Sequence, residues 1–285
     1  MASVRAGTLS MRDSLVKNRT VNLLANLTLR EIKGQYKKTV LGRAWSLLNP
    51  LANIAVYSLV FGILVRATPP LGTNSGLKSY ALWVACGIIP WGFMSTGTSL
   101  GRGALADNAG LLTKVYFPRF VLPTSTILAL ASTFLTELAA VAIFVGVAGG
   151  GPRIVWRLPV LIPIVILNTA FVLGLSLILS IGMVYFGDIQ HIWGIFLQLW
   201  MYASCVVLPF SLVQQAQVGH PNLPIEFLFE LNPAYQFVEA YRNVLYDFDV
   251  PSLTRWLVML AWAAVSMIIG SWVFSKFSSR IVEEL

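Results

Sequence analysis

Of 285 residues, 56% are hydrophobic and only 11% are charged, with a mean hydropathy of +0.74. One water-soluble core has no room for so much apolar surface, which excludes a soluble globular domain and predicts an all-α integral membrane protein. The net charge of +8 sits beside the apolar runs, not on a soluble face interleaved with aromatics, so membrane topology explains it and no nucleic acid is expected as a partner.

Residues 1–20 are polar and are expected to form a flexible segment ahead of one transmembrane domain over 21–285. Nine Lys or Arg fall before residue 44 without a compact apolar stretch, so no signal peptide is expected. The Asn-x-Thr patterns at Asn18 and Asn26 then lie on the cytoplasmic side, where they carry no meaning. From 21 to 43 the pattern predicts an amphipathic interface helix. Leu29, Ile32, Tyr36 and Val40 recur on one face, Arg30, Lys37 and Lys38 project elsewhere, and Thr28 with Glu31 matches a capping box. Such a helix lies in the headgroup plane or packs on a partner protein, and the two readings are compatible.

Six apolar runs follow, at approximately 45–65, 79–101, 120–147, 158–186, 192–210 and 256–275, each near the ~20 residues that cross ~30 Å of hydrocarbon. Fourteen Lys and Arg lie on the side of the termini and six in the alternate loops, so both termini are expected in the cytoplasm. Between the second and third runs a cytoplasmic helix is expected over 105–117. Phe117 and Pro118 close it, because proline disfavours helix in the residue before it and cannot extend a preceding helix; Lys114 and Arg119 flank that elbow. Of the outer loops, 66–78 and 149–157 read as turns. The third, 211–255, is apolar enough to dip into the membrane, and a re-entrant helical hairpin is expected over 223–247, broken at Asn232 and Pro233.

No Gly-x-x-x-x-Gly-Lys-Ser/Thr stretch occurs, so the chain is not expected to bind ATP by itself. Glu137 is the acid within the spans, with Asp188 at an inner end. Glu137 is open to a functional reading and to a structural one in which Ser132, Thr133 and Thr136 solvate it. His191 and His220 fall in different loops, Cys86 and Cys205 read as buried reduced thiols, and no metal-ligand spacing exists. Tyr57, Phe61, Trp83, Trp91, Trp200 and Tyr202, with Phe93 and Trp193 beside them, are candidates for a surface on which sugar rings slide. Aromatic enrichment at membrane interfaces is the competing reading. Gly97 and Gly101 form a small-xxx-small pattern compatible with a dimer seam.

Three stretches carry a family likeness. The run from Asn108 to Pro123, Asn-Ala-Gly-Leu-Leu-Thr-Lys-Val-Tyr-Phe-Pro-Arg-Phe-Val-Leu-Pro, resembles the cytoplasmic motif of type-2 ABC exporter permeases of the O-antigen, teichoic-acid and cell-wall polysaccharide branch. Leu29 to Leu51 is similar to that family's interface helix entering its first span, and Leu231 to Arg242 to its external re-entrant segment. Two positions depart from the pattern: Gly187-Asp188 where an Arg-Asp pair is common, and Ser204-Cys205 where a proline often follows the serine.

The resemblance implies a homodimer in the bacterial plasma membrane, with two copies of a separate ATPase subunit docked below. ATP and Mg would sit on that partner, and no cofactor on this chain. Asn108, Leu111, Lys114, Val115, Tyr116, Phe117, Pro118 and Arg119 would form the coupling helix. The cargo implied is a lipid-linked polysaccharide (O-antigen, teichoic acid or cell-wall galactan), with Lys33, Lys37, Lys38 and Arg43 as candidates for its lipid diphosphate. The alternatives are an ABC exporter of a drug or small lipid, and a membrane-embedded glycosyl or phosphoryl transferase using Glu137 or Asp188.

Overall fold

The computed structural model describes residues 19–35, 40–64 and 70–281, and all regular structure among them is helical. Lys37 and Lys38 lie outside the described residues, as do the side chains of Arg43 and Tyr57. Helix α1 covers 19–34. Helix α2 (Trp45–Tyr57) continues as a π-helical stretch over Ser58–Leu64, and α3 covers Tyr80–Gly103. After the short α4 (Ala109–Leu112) come α5 (Val121–Val145), α6 (Leu161–Tyr185) and α7 (Ile189–Ala203). The chain then runs through α8 (Ser211–Gly219), α9 (Ile225–Leu231), α10 (Pro233–Leu245) and α11 (Leu253–Phe277).

Three helical stretches are long and apolar enough to cross a membrane unaided: Val121–Ala148, Ile154–Tyr185 and Leu253–Phe277. Helix α3, with 24 residues, has the length, but its glycines, Ser and Thr dilute its apolarity. The run at 192–210 is not one helix. Helix α7 has 15 residues and ends at Ala203, so it reaches about 22 Å of the ~30 Å of hydrocarbon. Beyond it the chain unwinds through Cys205, whose φ of 51° is left-handed and incompatible with continuing the helix.

Helix α6 is the spine of the bundle and makes its most extensive contacts with α11 and α3. At the α6–α11 crossing, a Cβ on Gly174 would run into the backbone of Ser266, and one on Gly270 into the carbonyl of Gly174, so the two backbones meet where only glycine fits. The α3–α6 crossing uses Gly97 against Val172 and Gly101 against Ser176. This corrects the dimer-seam reading: both glycines are buried within one chain, and the close approach they permit is spent on α6.

Helix α1 packs against the bundle through a stripe other than the one that the sequence pattern singled out. Leu23, Leu24 and Leu27 pack into a second core, at the end of the bundle that holds α4, with Leu105, Leu112, Phe274 and Ile281, whereas Leu29 and Val40 are exposed. Leu29 lies roughly 200° around the helix from Leu27, so one stripe faces the bundle and the other cannot. Thr28 caps no terminus, because the helix is already running at 19; Glu31 pairs instead with Arg30 at 2.9 Å. Gln35, just past α1, accepts a hydrogen bond from Thr133 Oγ1 at 3.1 Å, which is roughly 18 Å along α5 from Val121. Helix α1 therefore leans up the side of α5.

Candidate functional site

The first candidate site is the segment between α3 and α5. Two side-chain bonds hold it. Asn108 Nδ2 donates to the Ala104 carbonyl at 3.0 Å, and Asn108 Oδ1 accepts from Arg30 Nη2 of α1 at 3.2 Å. Leu112 is buried, with Leu111 and Phe117 packed beside it in the core that α1 joins. Lys114, Val115, Tyr116 and Pro118 are exposed, and Tyr116 has no shielding at all.

The helix here is shorter than the expected 105–117. A 3-10 turn over Ala106–Asn108 leads into the four residues of α4, and residues 115 to 118 have no regular structure. Gly110 weakens the helix, and Thr113 Oγ1 donates to the Ala109 and Gly110 carbonyls near its end. Phe117 then has to fold back to the core, which an unbroken helix would not allow. Of the eight coupling candidates, Leu111 and Phe117 are thus anchors, Asn108 a staple, and Lys114, Val115, Tyr116 and Pro118 the presented surface. Arg119, half-buried, lines a cleft between this segment and α11.

The second site is the break between α9 and α10. Asn232 caps α10 by accepting from Ala234 N at 3.0 Å, with Pro233 in the first turn, where its missing N–H costs nothing. The same Oδ1 accepts from Trp200 Nε1 at 2.8 Å, and Nδ2 donates to the Ala203 carbonyl at 2.8 Å. Trp262 Nε1 donates to the Leu231 carbonyl at 2.9 Å; Trp262 is roughly 13 Å along α11 from its start, so the break lies deep between the helices.

Helix α10, buried along nearly its whole length, carries Arg242 into the same region. Nη1 donates to the Cys205 carbonyl at 2.8 Å and to Glu239 at 2.7 Å, and Nη2 donates to the Val206 carbonyl. Tyr80 Oη donates to the Val207 carbonyl at 2.6 Å. The carbonyls freed where α7 unwinds are therefore met by Asn232, Arg242 and Tyr80, which is how non-helical backbone is tolerated away from water.

This geometry corrects two of the glycan-surface candidates. Trp83 is 4% exposed and the Arg242 guanidinium lies 3.7 Å from its ring centre; Gly87, one turn on, leaves room for that guanidinium. Trp91 is likewise buried, edge-on to Trp200 at 5.7 Å. Phe61 stacks on Tyr80 at 6.1 Å, while Tyr202 is exposed. Trp193, Phe196, Trp200 and Trp262 line an aromatic cleft of about 360 Å³ between α6, α7 and α11. Phe196 and Trp262 escaped the sequence reading, although Trp193, Phe196 and Trp200 recur at helical spacing. Arg242 escaped it too, although a charge among Phe237, Tyr241 and Tyr246 is a signal in itself. Glu137 is half-buried on α5; Ser132 and Thr136 bond to carbonyls of their own helix and Thr133 to Gln35, so none of the three solvates it.

Residues 22–246 match the ABC-2 type transporter family. The chain belongs to that family. It is 32% identical over 259 residues to the O-antigen export system permease protein RfbA of Myxococcus xanthus, covering 90% of this chain and 92% of the relative. An RfbA of Klebsiella pneumoniae is 23% identical across 93% of this chain and 95% of its own. The polysialic acid transport protein KpsM of Escherichia coli is 29% identical across 77% and 79%. As an ABC-2 type permease, the chain is a membrane subunit without an ATPase site of its own, and its family implies a separate ATPase partner.

Proposed function

We propose that this chain is the permease subunit of an ATP-driven exporter that moves a lipid-linked polysaccharide out of the cytoplasm. The observation that carries this reading is similarity along nine-tenths of the chain to a permease named for O-antigen export. Two such subunits would pair with two copies of the ATPase. Six crossings, formed by α2, α3, α5, α6, α7 and α11, would put both termini in the cytoplasm; the unwound turn after Ala203 completes the depth that α7 alone does not reach. Helices α9 and α10 form the re-entrant hairpin of the outer half.

A chain driven by another subunit needs a stiff contact that can be pushed. The exposed Lys114–Pro118 ledge meets that need, since Asn108, Leu112 and Phe117 tie it to α1 and to the inner ends of α5, α6 and α11. Lys33, Lys37, Lys38 and Arg43 supply cations for the diphosphate of the incoming lipid. On the outward route, Trp193, Phe196, Trp200 and Tyr202 are the aromatics offered to sugar rings.

Depletion of the chain in cells tests the cargo. Undecorated lipid-linked glycan should accumulate on the cytoplasmic side; an unchanged glycan distribution with increased drug or small-lipid sensitivity would favour the alternative exporter.

A further inference from the structure

The cleft beside Arg119 has a volume of about 930 Å³ and lies where α5 begins and α11 ends. Its walls are graded along the bundle axis. Arg119, Ser278 and Ser279 line the end nearest the coupling ledge, beside Tyr116 and Pro118; Ser271 lies roughly 9 Å in from the end of α11, and Leu177 and Met267 line the cleft roughly 12–15 Å in, counted from the ends of α6 and α11 nearest the ledge. The Arg119 guanidinium has no hydrogen-bond or ion-pair partner among the described residues. The hydroxyls of Ser271, Ser278 and Ser279 likewise donate to none of them, unlike Ser275, which bonds to the Trp272 carbonyl at 2.9 Å. A half-buried cation with two uncommitted hydroxyls, Ser278 and Ser279, at its own level and an aliphatic wall deeper along the cleft matches a lipid phosphate with its acyl chains running inward.

We propose that this cleft binds one resident phospholipid of the inner leaflet through its phosphate, with Arg119 as the charged contact. A phosphodiester carries one negative charge, and Arg119 is the one cation lining the cleft among the described residues. A lipid diphosphate carries more charge than one guanidinium matches. Lys276, on the same helix as Ser271, lies instead over the rings of Trp272 and Phe277 at 5.0 and 5.7 Å. The bound lipid fills the gap between the coupling ledge and α11, so a push on the ledge is transmitted through a packed contact and not into a void. The site is independent of which cargo the exporter carries.

The test uses the full chain assembled with its ATPase partner, delipidated in detergent, titrated with phosphatidylglycerol and read by native mass spectrometry. Wild type should bind the lipid saturably. Arg119→Gln should bind it roughly fivefold to tenfold more weakly, Arg119→Lys should recover most of that loss, and Lys276→Gln should behave as wild type. All variants should still assemble with the partner, which separates lost binding from misfolding. Equal lipid binding by Arg119→Gln would overturn the proposal. So would displacement of the lipid by millimolar inorganic phosphate, which would mark a site for soluble anions, or an adduct of the lipid-linked glycan mass, which would mark a cargo site.

Discussion

Arg242 on α10 donates through Nη1 to the carbonyl oxygen of Cys205 at 2.8 Å, clamping the chain reversal after α7 from 37 residues away in sequence. With Trp83 stacked beneath it and Glu239 beside it, the guanidinium is 1% exposed and saturates two carbonyls that no helix could satisfy. Arg242→Met should therefore orphan the Cys205 and Val206 carbonyls and leave Glu239 without its partner, at a cost of about 3–5 kcal/mol. A large drop in the thermal unfolding midpoint of the purified protein checks this. Arg242→Lys should fall between the two, because an ammonium cannot reproduce the fork that reaches both carbonyls.

Asn232 makes a second clamp with different chemistry. Asn232→Asp keeps the acceptor used by Ala234 N and Trp200 Nε1 but removes both donors, to the Ala203 carbonyl and to Ser204 Oγ. Hydrogen exchange should then speed up around 203–207 while the first turn of α10 stays protected; Asn232→Ala should expose both. Equal protection in the two variants would mean that the cap and the clamp are not separable.

In the segment between α3 and α5, burial separates anchors from the proposed contact surface. Leu112→Ala removes a side chain that is 7% exposed and should cost about 2–3 kcal/mol of stability. Tyr116→Ala removes a side chain at the rim of the cleft that is fully exposed among the described residues, so the unfolding midpoint should not move. It should instead weaken ATPase docking and lower permease-stimulated ATP turnover roughly tenfold. Intact docking and stimulation in Tyr116→Ala would remove the ledge from the coupling interface.

The α6–α11 crossing has no slack. Gly174→Leu forces a side chain into the Ser266 backbone and should abolish assembly of the permease. Gly92→Ala on α3, where no atom of the described residues beyond its own stretch of helix lies within 4 Å of the added Cβ, should be tolerated. Yield of monodisperse protein after size exclusion distinguishes the two.

The helical class and the family were legible in the sequence because they rest on long-range averages and on contiguous motifs: apolar runs of span length, and the stretch from Asn108 to Pro123. The capping of α10 by Asn232 and Pro233 is also local, written in two adjacent residues. What escaped reading depends on contacts far apart in the chain. Nothing near Ser204 announces that α7 stops there, since the groups that stabilise the unwound turn are Tyr80, Asn232 and Arg242. The choice between Leu27 and Leu29 as the packed stripe of α1 is settled by the core built from Leu105, Leu112 and Phe274. The same holds for Gly97, whose partner Val172 lies on another helix, and for Trp83, an aromatic suited to sugar by type but covered by Arg242.

Reconstitution separates coupled glycan export from ATP turnover alone. The chain and its ATPase partner are placed in vesicles loaded on the cytoplasmic side with lipid-linked polysaccharide, and glycan is measured on the opposite face. Export that requires ATP and both subunits, and that falls roughly tenfold with Tyr116→Ala in a permease that still folds, is the expected result. ATP-dependent turnover without glycan movement, or glycan movement that continues without the partner, would contradict it.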